Sequence, residues 1–177
     1  MLTLDPHRSE LLIIDFQARL MPAIDRAEER LANARRLILA AEMLGLRRHI
    51  TEQNPLRLGG TLPELGIPEG EALAKMSFDS LRTPDIAARL EGDAALVTCG
   101  CEAHVCVLQT VLGLLERGRK VYVAADAIGS RADQNRLAAI DRMQRHGAEI
   151  VTTEMVLFEW LGDATHPAFK PVTALIK

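Results

Sequence analysis

The feature of this sequence that most constrains its fold is a repeated alternation of short apolar runs with segments of helical periodicity. The clearest of these runs, "ELLIIDFQ" (residues 10–17) and "AALVTCG" (residues 94–100), are mostly apolar, which is typical of strands buried on both faces of a parallel sheet. Six strands are predicted, at residues 10–17, 47–53, 72–78, 94–100, 120–126 and 148–153. The longest helices are predicted at residues 26–46, 102–118 and 133–147. The alternation predicts an α/β fold, with helices on both faces of a parallel sheet.

Length, charge and cysteine content narrow the class of protein. The 177 residues predict one domain over residues 1–177. The net charge of -3 gives no basic face, so a nucleic-acid partner is not expected. No apolar run approaches the roughly 20 residues of a membrane span, so no membrane role is expected. Three cysteines and no secretory apolar region at the start predict free thiols in a reducing cytoplasm.

Three chemically capable side chains fall where a parallel sheet binds ligands, beyond the carboxyl ends of its strands. Asp15 ends the first predicted strand, Lys75 lies in the third, and Cys106 lies early in the helix after the fourth. The helix start and Lys75 are expected to lower the pKa of the Cys106 thiol. Cys106 is therefore a candidate nucleophile and Asp15 a candidate base, since a buried carboxylate needs a partner.

Each of these residues also has a structural interpretation, and the sequence leaves both open. Cys106 could face the core, Asp15 could cap a loop, and the stem of Lys75 could carry its ammonium to solvent. Cys99 is expected in the core, and residues 126–131, "DAIGSR", are interpreted as a turn with a structural role. The cysteine spacing C-x-C-x4-C is not a standard zinc motif, and glycine-rich phosphate-binding motifs are absent from the sequence.

Five segments taken together resemble a known family. They are "LLIIDFQ", "TEQ", "ALAKMSF", "GCEAHVCVLQT" and "VYVAADAIGSR", in that order, within residues 10–153. The combination resembles the isochorismatase-like cysteine hydrolases, and in particular the isochorismatase-domain-containing proteins. The resemblance implies a three-layer, Rossmann-like α/β/α sandwich around a six-stranded parallel sheet. It also implies a catalytic triad of Asp15, Lys75 and Cys106.

The resemblance further implies an activity and a set of supporting residues. Members that keep the cysteine commonly hydrolyse C–N bonds of amides or carbamoyl compounds, which implies a small-molecule substrate and a thioester on Cys106. Backbone N–H groups of Glu102 and Cys106 would form the oxyanion hole, after a cis peptide bond between Cys101 and Glu102. The possible pocket residues are Phe16, Gln53, Phe78 and His104.

The resemblance also bears on cofactors and assembly. Metal-dependent nicotinamidases carry an Asp-x-His pair and a further His after the second strand, where this sequence has "TEQNPLRLGG". No metal and no other cofactor are therefore expected. A homo-oligomer is expected by resemblance. Two other classes of function stay open: a catalytically silent oligomeric binding or scaffold protein, and a thiol-redox sensor built on Cys101 and Cys106.

Overall fold

A computed structural model describes residues 2–177, and its centre is a six-stranded sheet in which all strands run parallel. The order across the sheet is β3-β2-β1-β4-β5-β6. The strands are Ser9–Ile14 (β1), Arg47–Gln53 (β2), Leu73–Lys75 (β3), Ala95–Cys101 (β4), Val121–Gly129 (β5) and Glu149–Val151 (β6). The predicted α/β class with a six-stranded parallel sheet is confirmed.

Helices connect the strands and cover both faces of the sheet. They are Ala27–Met43 (α1), Pro55–Leu58 (α2), Pro84–Arg89 (α3), Leu108–Glu116 (α4), Asp133–Arg145 (α5), Thr153–Leu161 (α6) and Phe169–Thr173 (α7). A wide π-type turn over Ala103–Val107 joins β4 to α4. Within residues 2–177, every helix is too short or too polar to cross a membrane.

The central strand β1 shows why the sheet is covered on both sides. Leu11 and Ile13 belong to one apolar cluster, whereas Leu12 and Ile14 belong to a second cluster on the opposite face. All four side chains are fully buried, and each contributes roughly 1.5–3 kcal/mol by its removal from water. The first cluster includes residues of α1 and α6, and the second includes residues of α4 and α5. This two-sided burial is the reason that the strand is a continuous apolar run in the sequence.

The structure corrects two of the predicted segments. The third strand spans only Leu73–Lys75, because the chain leaves the edge of the sheet there and exposes Met76 and Phe78. The segment "DAIGSR" does not form the predicted turn, since β5 continues through Gly129. Its Asp126 does have a structural role: Oδ1 accepts hydrogen bonds from the N–H and the hydroxyl of Thr153 at 2.8 and 3.0 Å.

Candidate active site

The three residues predicted to form a triad lie at the carboxyl edge of the sheet. Asp15 directly follows β1, Lys75 ends β3, and Cys106 lies in the π-type turn after β4. They are 0%, 2% and 5% exposed, respectively, so the site is almost fully removed from solvent. Lys75 Nζ donates a hydrogen bond to Asp15 Oδ2 at 2.7 Å. The sequence therefore folds so that a lysine and an aspartate form a buried ion pair.

Two side chains of β2 complete the surroundings of this ion pair. Thr51 Oγ1 donates to Asp15 Oδ1 at 2.8 Å, so each carboxylate oxygen has its own donor. Gln53 Oε1 accepts from Lys75 Nζ at 2.9 Å and from Cys106 Sγ at 3.9 Å. One amide oxygen thus links the ammonium to the thiol.

The backbone at Asp15 adopts an uncommon conformation that ends β1. Its φ angle is 55°, in the left-handed region, where aspartate and asparagine are tolerated better than most residues. The Asp15 N–H still donates to the carbonyl oxygen of Thr51 at 3.1 Å, as a continuation of the pairing with β2. The carboxylate is therefore fixed through its backbone as well as through its side-chain hydrogen bonds.

A glycine lets β4 pass close to the end of β1 on its way to Cys106. Gly100 has a φ angle of +149°, and a Cβ atom built on it would overlap the carbonyl oxygen of Ile14. The peptide bond between Cys101 and Glu102 is cis, at the position that the resemblance implies. A side chain at residue 100 would force these two strands apart, so we interpret this glycine as a requirement of the approach between Asp15 and Cys106.

The Glu102 side chain is engaged in an ion pair. Its carboxylate accepts from the Arg131 N–H at 2.9 Å and from the Arg131 guanidinium at 2.6 Å. Burial acts to raise the pKa of Glu102, but the hydrogen bonds and charge of Arg131 outweigh it and hold that pKa below its usual range. The side chain of Glu102 is thereby kept ionised and held to the segment after β5.

The Cys106 thiol has a raised pKa, which corrects the prediction from the sequence. Burial first, and then the Asp15 carboxylate, raise the pKa of this thiol to about 12 against the opposing effect of Lys75. The prediction of a lowered pKa was wrong because the positive charge of Lys75 is offset by Asp15, which leaves desolvation as the dominant effect. At neutral pH the thiol is therefore protonated, and it needs a base when it reacts.

The other two cysteines lie deeper in the sheet. All three cysteines are free thiols, and Cys99 and Cys101 are both fully buried. Burial raises the pKa of Cys99 and of Cys101 strongly. Cys99 packs in the core, as predicted, and Cys106 retains slightly more exposure than either of them.

The four possible pocket residues lie in different surroundings. Gln53 contacts the thiol and the lysine, as described above. Phe78 is 50% exposed, and His104 is partly buried with its Nδ1 3.0 Å from Ser130 Oγ. Phe16 is 1% exposed and packs in the apolar cluster that includes α1. Gln53 thus lies within the candidate site, whereas Phe16 lies in the core.

A cavity borders the lysine from the edge of the sheet. Its volume is about 380 Å³, and it is lined by Lys75 together with Pro55, Ala74, Met76, Ser77, Arg82, Thr83 and Pro84. Among residues 2–177, the structure contains no group of three or more His, Cys, Asp or Glu side chains arranged to hold a metal ion. The lining of the cavity includes neither Asp15 nor Cys106, so the cavity has room for a small molecule at the edge of the sheet without reaching the thiol.

Two residues of the site were not identified from the sequence. Thr51 and Gln17 are 1% and 0% exposed, and both hydrogen-bond to groups of the site. A period of two places Thr51 and Gln53 on the same face of β2, next to the strand that ends in Asp15. That periodicity was the available indication for Thr51, whereas the contacts of Gln17 depend on the course of two loops.

Comparison with known proteins agrees with this fold. The Isochorismatase domain profile matches residues 9–155. Isochorismatase domain-containing protein 2 of Xenopus laevis is 40% identical over 171 residues, which cover 95% of this chain and 83% of that protein. The structure described as MAR1 ribonuclease from Caenorhabditis elegans has a TM-score of 0.92 at 37% identity, covering 98% of this chain and 92% of that chain.

A bacterial structure is also similar. The YcaC gene product of Escherichia coli, described as an octameric hydrolase of unknown specificity, has a TM-score of 0.90 at 25% identity. The match covers 99% of this chain and 90% of that chain. The profile match and the identity to the Xenopus protein extend over most of the chain, and the predicted family is therefore confirmed: this chain belongs to the isochorismatase family.

Proposed function

We propose that this protein is a cysteine hydrolase that cleaves a C–N bond, of the amide or carbamoyl type, in a small molecule. The observation that carries the proposal is the free Cys106 thiol beside the buried Asp15–Lys75 ion pair. Removing both charges of an ion pair from water costs several kcal/mol per ion, and apolar residues would stabilise the fold as well or better. Such an arrangement in an otherwise apolar core is typical of a functional site.

The proposed reaction begins with the protonated thiol. As Cys106 Sγ attacks the carbonyl carbon, its proton passes to Asp15, and the carbonyl π electrons move to the oxygen. Collapse of the tetrahedral intermediate breaks the C–N bond, and Asp15 returns the proton to the leaving nitrogen. A water molecule then attacks the thioester, gives a proton to Asp15, and releases the acid product; the thiol recovers its proton from Asp15.

The raised pKa of Cys106 determines what Lys75 does in this scheme. A thiol with a pKa of about 12 is deprotonated only when a base accepts its proton during the attack. Lys75 remains a cation throughout and offsets the negative charge that moves from Asp15 to sulfur and to the carbonyl oxygen. The backbone N–H groups of Glu102 and Cys106 are the proposed oxyanion donors; loss of one such donor typically costs about 100- to 1000-fold in rate.

We also propose that this protein forms a homo-oligomer and that its site needs no metal cofactor. The octameric YcaC structure supports oligomerisation of this chain, because the similarity extends over nearly the whole of both chains. Sedimentation velocity of the purified protein tests the assembly. A monomer at micromolar concentration would contradict that part of the proposal.

A substrate panel tests the function directly. Primary amides, ureido acids and carbamoyl compounds are incubated with the wild-type protein and with Cys106→Ala, and released ammonia is measured. We expect turnover of at least one class by wild type, none by the variant, and no loss on treatment with a chelator. A single-stranded RNA, with its cleavage followed on a gel, is included because a similar structure carries the name ribonuclease.

The outcomes of the panel separate the remaining classes of function. Turnover that survives in Cys106→Ala contradicts the nucleophile, and activity lost on chelation and restored by zinc, iron or manganese contradicts a metal-free site. A failure of every small molecule favours the silent scaffold. A mass change under mild peroxide that a reductant reverses and that maps to Cys101 and Cys106, such as the loss of two hydrogens on disulfide formation, favours the redox sensor.

A further inference from the structure

Two buried glutamines contact the candidate site or its neighbours, and their hydrogen bonds form a continuous path from the end of β1 to the thiol. Gln17 is 0% exposed and Gln53 is 9% exposed. We propose that Gln17 and Gln53 are positioning residues that hold the Lys75 ammonium and the Cys106 thiol in place for the reaction. The inference rests on the proposed function for its meaning, but its geometry is independent of any substrate.

The orientation of the Gln53 amide follows from its partners. Lys75 Nζ can only donate, so the atom 2.9 Å from it has to be the oxygen Oε1. The other end, Nε2, donates to the carbonyl oxygen of Met76 at 2.8 Å, which can only accept. The two contacts agree on one orientation, and Oε1 is thereby directed to the point where the ammonium and the thiol meet.

A neutral acceptor at this point has a specific electrostatic consequence. Oε1 accepts from Lys75 and from Cys106 Sγ without adding a second negative charge beside the thiol. A carboxylate in the same place would favour the protonated thiol further, as Asp15 already does. A side chain with no acceptor would take from the ammonium the partner that it has beside Asp15 Oδ2, and from the thiol its contact at 3.9 Å.

Gln17 holds the backbone of Gln53 at two points. Its Oε1 accepts from the Gln53 N–H at 2.8 Å, and its Nε2 donates to the Gln53 carbonyl oxygen at 3.0 Å. The same Nε2 donates to the carbonyl oxygen of Gly59 at 2.6 Å, and the Gln17 N–H donates to the Asp15 carbonyl oxygen at 3.0 Å. Gln17 thus joins the ends of β1 and β2 and the loop after β2.

The test measures Cys106 directly, so that it does not depend on a known substrate. Gln53→Glu keeps the shape and adds a charge, whereas Gln53→Met keeps the approximate volume and removes the acceptor. Gln17→Leu removes the backbone clamp, and Gln144→Leu, at an exposed position of α5, is the matched control. The rate of iodoacetamide alkylation at Cys106 is followed by peptide mapping between pH 7 and pH 10, beside the melting temperature.

We expect Gln53→Glu to slow alkylation of Cys106 about tenfold at each pH, equivalent to a rise of about one pKa unit. Gln53→Met and Gln17→Leu are expected to change that rate at least threefold, whereas Gln144→Leu leaves it unchanged. Equal alkylation by wild type and Gln53→Glu, in a folded protein, would overturn the inference. If Gln17→Leu does not fold, the two Gln53 variants decide the question alone.

The same variants separate this inference from the proposed function. On any substrate found by the panel, the Gln53 variants should lower kcat at least tenfold with little change in KM, since the residue acts on the thiol. A change in alkylation without any turnover by wild type would support the positioning pair and contradict hydrolysis. Full turnover by Gln53→Glu and Gln53→Met would contradict the positioning pair and leave hydrolysis intact.

Discussion

An acid–base pair lies at each end of β1, with Lys75 of β3 at the carboxyl end and with His49 of β2 at the amino end, and the two pairs differ in what surrounds them. At the carboxyl end Asp15, after β1, accepts from Lys75 at 2.7 Å. At the amino end Glu10 of β1 lies 2.8 Å from His49 of β2. The distances are almost equal, so distance alone does not distinguish a functional pair from a structural one.

Burial and charge do distinguish the two pairs. Both side chains of the Lys75–Asp15 pair are 0% exposed, whereas the Glu10 side chain is 15% exposed and lies 3.8 Å from Arg47. Burial lowers the pKa of His49 despite the opposing effect of Glu10, which favours the neutral imidazole in this hydrogen bond. The amino-end pair is thus a hydrogen bond near solvent, whereas the carboxyl-end pair brings a lysine and a carboxylate to a thiol.

The largest expected difference between the two ends of β1 is the loss of turnover when the acidic residue at each end is replaced by its amide. Asp15→Asn should lower kcat about 1000-fold on any substrate found by the panel, because an amide cannot accept the thiol proton. Asparagine tolerates the left-handed backbone at this position, so circular dichroism should stay close to wild type, whereas the melting temperature should fall because the buried Lys75 ammonium loses its anion. Glu10→Gln should leave kcat within about threefold, and activity retained by Asp15→Asn would remove the aspartate from its role as base.

The next difference concerns stability. Lys75→Met leaves the Asp15 carboxylate buried without its cation, and we expect the free energy of unfolding to fall by about 3–5 kcal/mol. His49→Gln retains a donor for Glu10 near solvent, so the expected loss is about 1 kcal/mol. Urea denaturation at pH 7 measures both. Equal losses in the free energy of unfolding would contradict the comparison, because the two acid–base pairs would then contribute equally to stability.

A smaller effect is expected in the pH dependence of thiol alkylation. With a thiol pKa of about 12, the thiolate fraction of Cys106 should rise about tenfold per pH unit, without a plateau between pH 7 and pH 10. Cys99 and Cys101 should remain unlabelled while the protein is folded, since both are fully buried. A plateau below pH 9, or preferential labelling of Cys99, would contradict the assigned environment of the thiol.

The smallest expected effect belongs to the amino-end pair. Because burial lowers the pKa of His49 in the folded protein, the unfolded chain binds a proton more readily. This residue's contribution to stability is therefore complete above the unfolded pKa, near 6.5, and decreases as the pH falls through that value toward the folded pKa. His49→Gln should flatten the loss of stability between pH 7 and pH 5 in urea titrations; an unchanged slope would contradict the assignment.

The sequence predicted the fold well where burial leaves a clear pattern. The apolar run of β1 corresponds closely to a strand, because parallel strands buried on both faces select continuous apolar residues. The second strand was predicted with the bounds that it has, Arg47–Gln53, although its sequence is mostly polar. The third strand was predicted too long, since Met76 and Phe78 are apolar but exposed beyond the edge of the sheet. Residues 126–131 were interpreted as a turn because a carboxylate stands at the end of the predicted strand, but pairing of Ile128 and Gly129 with β4 extends the strand instead.

The site was predicted in part, and the missing part is electrostatic. Strand ends and the family resemblance indicated Asp15, Lys75 and Cys106 as the candidate residues, but the predicted direction for the pKa of the thiol was wrong. That direction depends on how completely Asp15 offsets Lys75 and on the depth of Cys106, neither of which is visible in a linear pattern. The contacts of Gln17 likewise depend on two loops that meet only in the folded chain.

A covalent intermediate tests the central claim most directly. The most rapidly hydrolysed compound of the panel is mixed with the protein, the reaction is quenched in acid within milliseconds, and the intact mass is measured before peptide mapping. The account predicts a mass increase equal to the acyl group, mapped to Cys106 and absent from Cys106→Ala. Rapid turnover with the acyl group on another residue, or an unmodified Cys106 under conditions where attack of water on the thioester limits the rate, would contradict it.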